Sequence, residues 1–107
     1  MQVPHLAGEW ISQRVARGEY IITRHAEIER RSDGLSVAEV ETALRTGVIL
    51  EEYPEDPRGP SCLVLGRVGS RSIHAVCGCN TDGWLVIITV YIPSMPKWRT
   101  PEERNRS

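Results

Sequence analysis

Phenylalanine is absent from this 107-residue chain, and lysine occurs only once, at position 97. Without phenylalanine the bulk of any core must come from Trp10, Trp84, Trp98 and the aliphatic side chains. No apolar run approaches the roughly 18 residues that span a bilayer. The N-terminal stretch MQVPHLAGEW has no signal-peptide pattern, so a cytoplasmic location and no membrane partner are expected. Three cysteines cannot close an all-disulfide framework. There is no Ser-His-Asp spacing, no glycine-rich phosphate loop and no Cys-x-x-Cys pair. Hydride transfer, nucleotide hydrolysis on a phosphate loop and a zinc ribbon are therefore unsupported. Repeats and low-complexity segments are missing as well.

What remains is the composition of one ordinary globular domain, 40% apolar and 25% charged. Its net charge is −1, unevenly spread: positions 1–60 hold seven arginines and eleven acids, positions 61–107 six basic residues and three acids. A basic second half suits a phosphate-bearing ligand; scatter between short windows explains the same imbalance.

Leu6, Trp10, Ile11 and Val15 recur at helical spacing, and Gly18 ends the run. Thr23 is placed to cap a second helix that runs to about Arg31 and stops at Asp33-Gly34. Ser36 and Glu39 form a capping box for a third, with Val37, Val40 and Leu44 as its apolar stripe and Gly47 at its end. A strand is expected over Val48–Tyr53, another at Cys62–Leu65, and a hairpin from Arg71 onward. The fold class expected is α+β: three helices on one face of a four-stranded antiparallel sheet. Residues 1–98 would form the domain, and 99–107 a polar tail expected to fray.

The hairpin reads RSIHAVCGCN-TDG-WLVIITVYIPSMPKW. A four-residue Asn80–Gly83 loop sets Cys79 opposite Trp84. Ala75, Cys77, Val86 and Ile88 then share an apolar face for the helices, and His74, opposite Thr89, shares the other with Tyr91. Cys77 and Cys79 on the core face, with His74 on the other, make a poor zinc site. The cysteines read as reduced, buried thiols.

His74 at the polar end of an open sheet face is a candidate acid or base, and equally a structural strand histidine. Lys97 and Trp98 suit a phosphate and a stacked base, although a tryptophan there also serves to anchor the C-terminus. Arg99 and Arg71 are further phosphate candidates. His25 and Glu29, like His5 and Glu9, stand four apart on helices. Such pairs form ion pairs more readily than metal sites, so no metal and no cofactor are expected.

Several segments, in this order and spacing, resemble one bacterial family, the domain-of-unknown-function family 4258. They are Thr23-Arg-His25-Ala26, Gly34-Leu-Ser36 leading into Val40-Glu41, Gly47-Val-Ile-Leu-Glu-Glu-Tyr53-Pro54, and the strand ending Ile88-Thr-Val-Tyr91 with Lys97-Trp98. The resemblance covers about residues 20 to 98 and implies a RelE-like toxin fold, a microbial-ribonuclease architecture. It also implies a small antitoxin-like partner, in some members carrying a zinc finger. The family's two histidines fall on His25 and His74, its Thr-x-Tyr on Thr89 and Tyr91, and its Lys-Trp on Lys97 and Trp98. Many members carry arginine where this chain has Glu27 and Glu29, which weakens a phosphate role for that helix.

On this reading the chain is expected to be a metal-independent endoribonuclease toxin acting on mRNA, free or ribosome-bound. His74 or His25 would take the 2′-hydroxyl proton, and Lys97 with Arg71 would stabilise the phosphate. Tyr91, Trp98 and Arg99 would bind the RNA, while Thr89 would hold the histidine. The alternative is a non-catalytic module that binds the antitoxin-like protein through its sheet. A His74 sealed from solvent would favour the alternative.

Overall fold

The structure, a computed structural model, describes residues 8–106. Leu6 and His5 lie outside the described residues. Three helices, α1 (Gly8–Ala16), α2 (Arg24–Ser32) and α3 (Val37–Thr46), pack on a mixed sheet. Its strands are β1 (Tyr20–Ile22), β2 (Val48–Tyr53), β3 (Ser61–Val68), β4 (Arg71–Cys79) and β5 (Leu85–Tyr91), in spatial order β1-β5-β4-β3-β2. The α+β class stands, but the sheet has five strands rather than four, and β1 runs parallel to β5. A separate two-stranded ribbon follows, β6 (Trp98–Thr100) and β7 (Glu103–Arg104).

The helices form where the sequence signals them. Thr23 caps α2 by accepting from Ala26 N at 3.1 Å. Ser36 and Glu39 complete the expected capping box on α3. Ile11, Val15, Ala26, Leu35, Val40, Ala43 and Leu44 bury their side chains against Val64, Ile73, Ala75, Cys77, Leu85, Ile87 and Val90 of the sheet. α3 sits so close to β3 that a methyl group on Gly66 would lie 2.3 Å from the Ala43 carbonyl oxygen. Glycine is required there by that approach.

The β4–β5 hairpin departs from the expected pairing. Asn80 Oδ1 accepts from both Asp82 N and Trp84 N, which widens the loop by one residue and sets Cys79 opposite Leu85. Leu85 and Ile87 therefore face the core, not Val86 and Ile88. Ile88 then lies at a bulge, after which Val76 pairs with Thr89, Ala75 with Val90 and His74 with Tyr91. The bulge returns Thr89 and Tyr91 to the face that carries His74.

Beyond β1 the edge of β5 is closed by side chains of α2 rather than by another strand. Glu29 Oε1 accepts from Val90 N at 3.1 Å, and Asp33 Oδ2 accepts from Ile92 N at 2.8 Å. Two acids of a helix thus occupy main-chain donors that would otherwise be open to strand addition.

Candidate functional site

Helices cover one face of the sheet; the other, outer face carries His74. β4 places its ring there beside Tyr91 of β5, and the chain leaving β5 returns across it. Trp98 N donates to Ser94 O at 3.0 Å, closing the turn that sends Trp98 back over the sheet. The Trp98 ring meets His74 edge-on, with centroids 4.4 Å apart. Residues 98–104 form a ribbon held down by its own contacts, so the expected frayed tail is instead ordered structure. Arg104 makes a paired contact with Glu51 at 2.8 and 2.9 Å, and its guanidinium stacks 4.6 Å from the Trp98 ring.

The hydrogen bonds fix the state of His74. Its Nε2 lies 2.6 Å from the Pro101 carbonyl oxygen, which can only accept, so Nε2 carries the hydrogen. In the neutral ring Nδ1 is then an acceptor, and the Tyr91 hydroxyl donates to it at 3.1 Å. Trp98 Nε1 donates in turn to the Tyr91 oxygen at 3.2 Å. The His74 ring is 0% exposed and both nitrogens are occupied. Burial pushes its pKa below the ordinary histidine value, against the Pro101 carbonyl and the Glu51 carboxylate, which favour the proton. Burial likewise raises the Tyr91 hydroxyl.

The candidate residues divide accordingly. His74, Tyr91 and Trp98 meet, and Lys97 Nζ stands 5.9 Å over the Tyr91 ring. Thr89 does not hold His74: the bulge places it opposite Val76, and Tyr91 takes the role. Arg71 is engaged by the Glu39 carboxylate and reaches the Gly34 carbonyl at 3.4 Å, which ties β4 to the start of α3. Arg99 pairs with Glu103 at 3.4 Å. His25 lies exposed on α2, with Nε2 3.1 Å from Glu29 Oε1. None of its described contacts reaches His74, Tyr91 or Lys97.

Sequence reasoning missed Glu51, Tyr53, Pro101 and Arg104. Arg104 holds the Glu51 carboxyl down at about 2, and Tyr53 is pushed up to about 12 by burial and by the same carboxylate. Pro101 acts through its main-chain carbonyl, which leaves no signature in residue type. Among the described residues, no three His, Cys, Asp or Glu side chains are grouped to hold a metal ion. Cys62 and Cys77 are buried free thiols with pKa values raised by burial, Cys62 to about 11. No described helix is long and apolar enough to cross a membrane.

The other end of the outer face is open. A groove of about 450 Å³ is floored by Gly78, Val86 and Ile88 and walled by Arg58, Pro60 and Asn80. Ile21, paired in register with Val86, and Trp84 are large apolar side chains left exposed, at 43% and 39%.

A family model described as "Domain of unknown function (DUF4258)" matches residues 22–92, from β1 to just past β5. A search of curated proteins and one of solved structures found no match.

Proposed function

Because the chain belongs to the DUF4258 family, whose description assigns no activity, we propose from the geometry that it is a non-catalytic interaction module for a small antitoxin-like protein. The observation that carries this reading is the seal on His74: a ring that is fully buried with both nitrogens bonded has no lone pair to offer a ribose hydroxyl. The charge distribution supports it. Seven of the thirteen basic residues, Arg14, Arg30, Arg58, Arg67, Arg71, Arg99 and Arg104, each pair with a carboxylate of the chain, which reduces the positive charge offered to a phosphate backbone. The open groove, with Ile21 and Trp84 at its side, is the surface offered to a protein partner.

The second reading, an endoribonuclease toxin acting on mRNA, is favoured by Lys97. It is an exposed cation against the Tyr91 ring, at the end of the sheet where the RelE-like resemblance places the chemistry. Helices on one face of a mainly antiparallel sheet agree with that resemblance. In the closed arrangement such an enzyme would have to work without His74, with His25 as the remaining candidate base.

Co-expression with the product of each neighbouring gene, followed by size-exclusion chromatography, separates the two. The module reading expects a stoichiometric complex that Ile88→Lys abolishes, and no growth arrest when the chain is expressed alone. Growth arrest accompanied by mRNA cleavage, with no effect of Ile88→Lys on the complex, would overturn it.

A further inference from the structure

The ribbon that covers His74 is held by two clasps of different chemistry. One is the Glu51–Arg104 ion pair, reinforced by Tyr53, whose hydroxyl donates to Glu51 at 2.6 Å. The other is the relay from Trp98 through Tyr91 and His74 to Pro101. Both of its ends, Trp98 and Pro101, belong to the ribbon, and its middle belongs to the sheet. A second proton on the imidazole leaves the Nε2 bond to Pro101 in place and inverts only the Nδ1 contact with Tyr91. A hydrogen added at Nδ1 would face the hydroxyl that now donates to it. That hydroxyl, already accepting from Trp98, would have to turn its own hydrogen elsewhere.

We propose that residues 94–105 form a proton-operated latch: a second proton, taken from solvent by the His74 ring, inverts its contact with Tyr91 and makes a cation that is hydrated only once the ribbon has left the outer face. The inference does not depend on which partner the domain binds. The groups that face His74 are known from each element packed on it. The Pro101 carbonyl on the ribbon and Glu51 on β2 favour the added proton, Arg104 and Lys97 on the ribbon oppose it, and Tyr91 on β5 supplies the hydroxyl. Leu65, its neighbour on β3, carries no charge. Desolvation of the cation is the largest of these effects, and opening removes it by returning the ring to water. Release should therefore begin as pH falls below about 6.5, the ordinary histidine value. The Glu51–Arg104 clasp does not titrate in that window, since its carboxyl is held at about 2. Release uncovers the half of the face that carries His74 and Tyr91, joined to the open groove through Val76 and Thr89.

Hydrogen exchange of the full-length chain, followed by mass spectrometry from pH 7.5 to 5 and corrected for intrinsic exchange, tests this. Peptides covering 97–106 should lose protection by up to about tenfold per pH unit below pH 6.5, the slope of a one-proton linkage. Peptides from β3 and β4 should hold theirs. His74→Gln should abolish the slope, whereas Glu51→Gln should raise exchange at every pH and keep it. Should His74→Gln fail to fold, the Glu51→Gln slope and the NMR titration of the His74 ring in the unmodified chain decide, because ring protonation and ribbon exchange must then share a midpoint. A ribbon equally protected at pH 5 and 7.5, loss of ribbon and core together, a slope surviving in His74→Gln, or midpoints that differ would overturn the latch.

Discussion

A single histidine shows how much a residue's chemistry depends on what lies over it. His74 could be singled out in the sequence as the polar side chain on an open face, and Tyr91 as its neighbour. The identity of its hydrogen-bond donor was not legible, because it turns on a bulge at Ile88 that no side chain announces. Nor was its acceptor, a main-chain carbonyl from the chain's last ten residues. Truncating His74→Ala strands the Tyr91 hydroxyl and the Pro101 carbonyl and leaves a void. It should cost about 2–4 kcal/mol in urea unfolding. Tyr91→Phe removes the donor alone and should cost about 1–2 kcal/mol. At Gly66 the reason is steric: Gly66→Ala puts a methyl into the main chain of α3, and a loss of several degrees in Tm is expected.

Among the elements, those with local signals were legible and those without were not. α2 and α3 announce their caps at Thr23 and Ser36, and β2 runs over the residues expected, Val48–Tyr53. β1 escaped notice because three residues, Tyr20–Ile22, carry too little alternation to register as a strand. It forms because β5 offers a partner and Thr23 N donates to Ile87 O at 3.1 Å, leading the chain from strand to helix. The hairpin slipped by one residue because Asn80 organises a wider loop than its Asn-Thr-Asp-Gly sequence suggests. The acids of α2 offer a test at this scale. Glu29→Ala and Asp33→Ala should expose the amides of Val90 and Ile92 respectively to exchange, each at a cost of about 1–3 kcal/mol. Unchanged protection of those two amides would remove the edge-closing role assigned to α2.

For the whole molecule, the decisive element is the C-terminal ribbon, whose polar composition gave no sign that it would cover the sheet. Its contacts also set the pH dependence of stability. His74, with its pKa lowered by folding, contributes stability that is complete above about 6.5 and lost as pH falls. Glu51, lowered to about 2, adds a second loss on further acidification, as pH falls through that value. Tyr20 and Tyr53, raised to about 12, stabilise the fold below their ordinary value of 10.0 and lose that contribution as pH rises through 12. Because the Cys62 and Cys77 thiols are also raised from 9.0 by burial, urea midpoints should be flat between about pH 7 and 9 and fall on both sides. On the proposed reading His74 seals the fold and does not act on RNA. That reading is tested most directly by incubating the purified chain with mRNA, with and without ribosomes, beside a folded His74→Gln variant. Intact RNA in every lane is the expected result. Cleavage by the unmodified chain that the variant loses would contradict it.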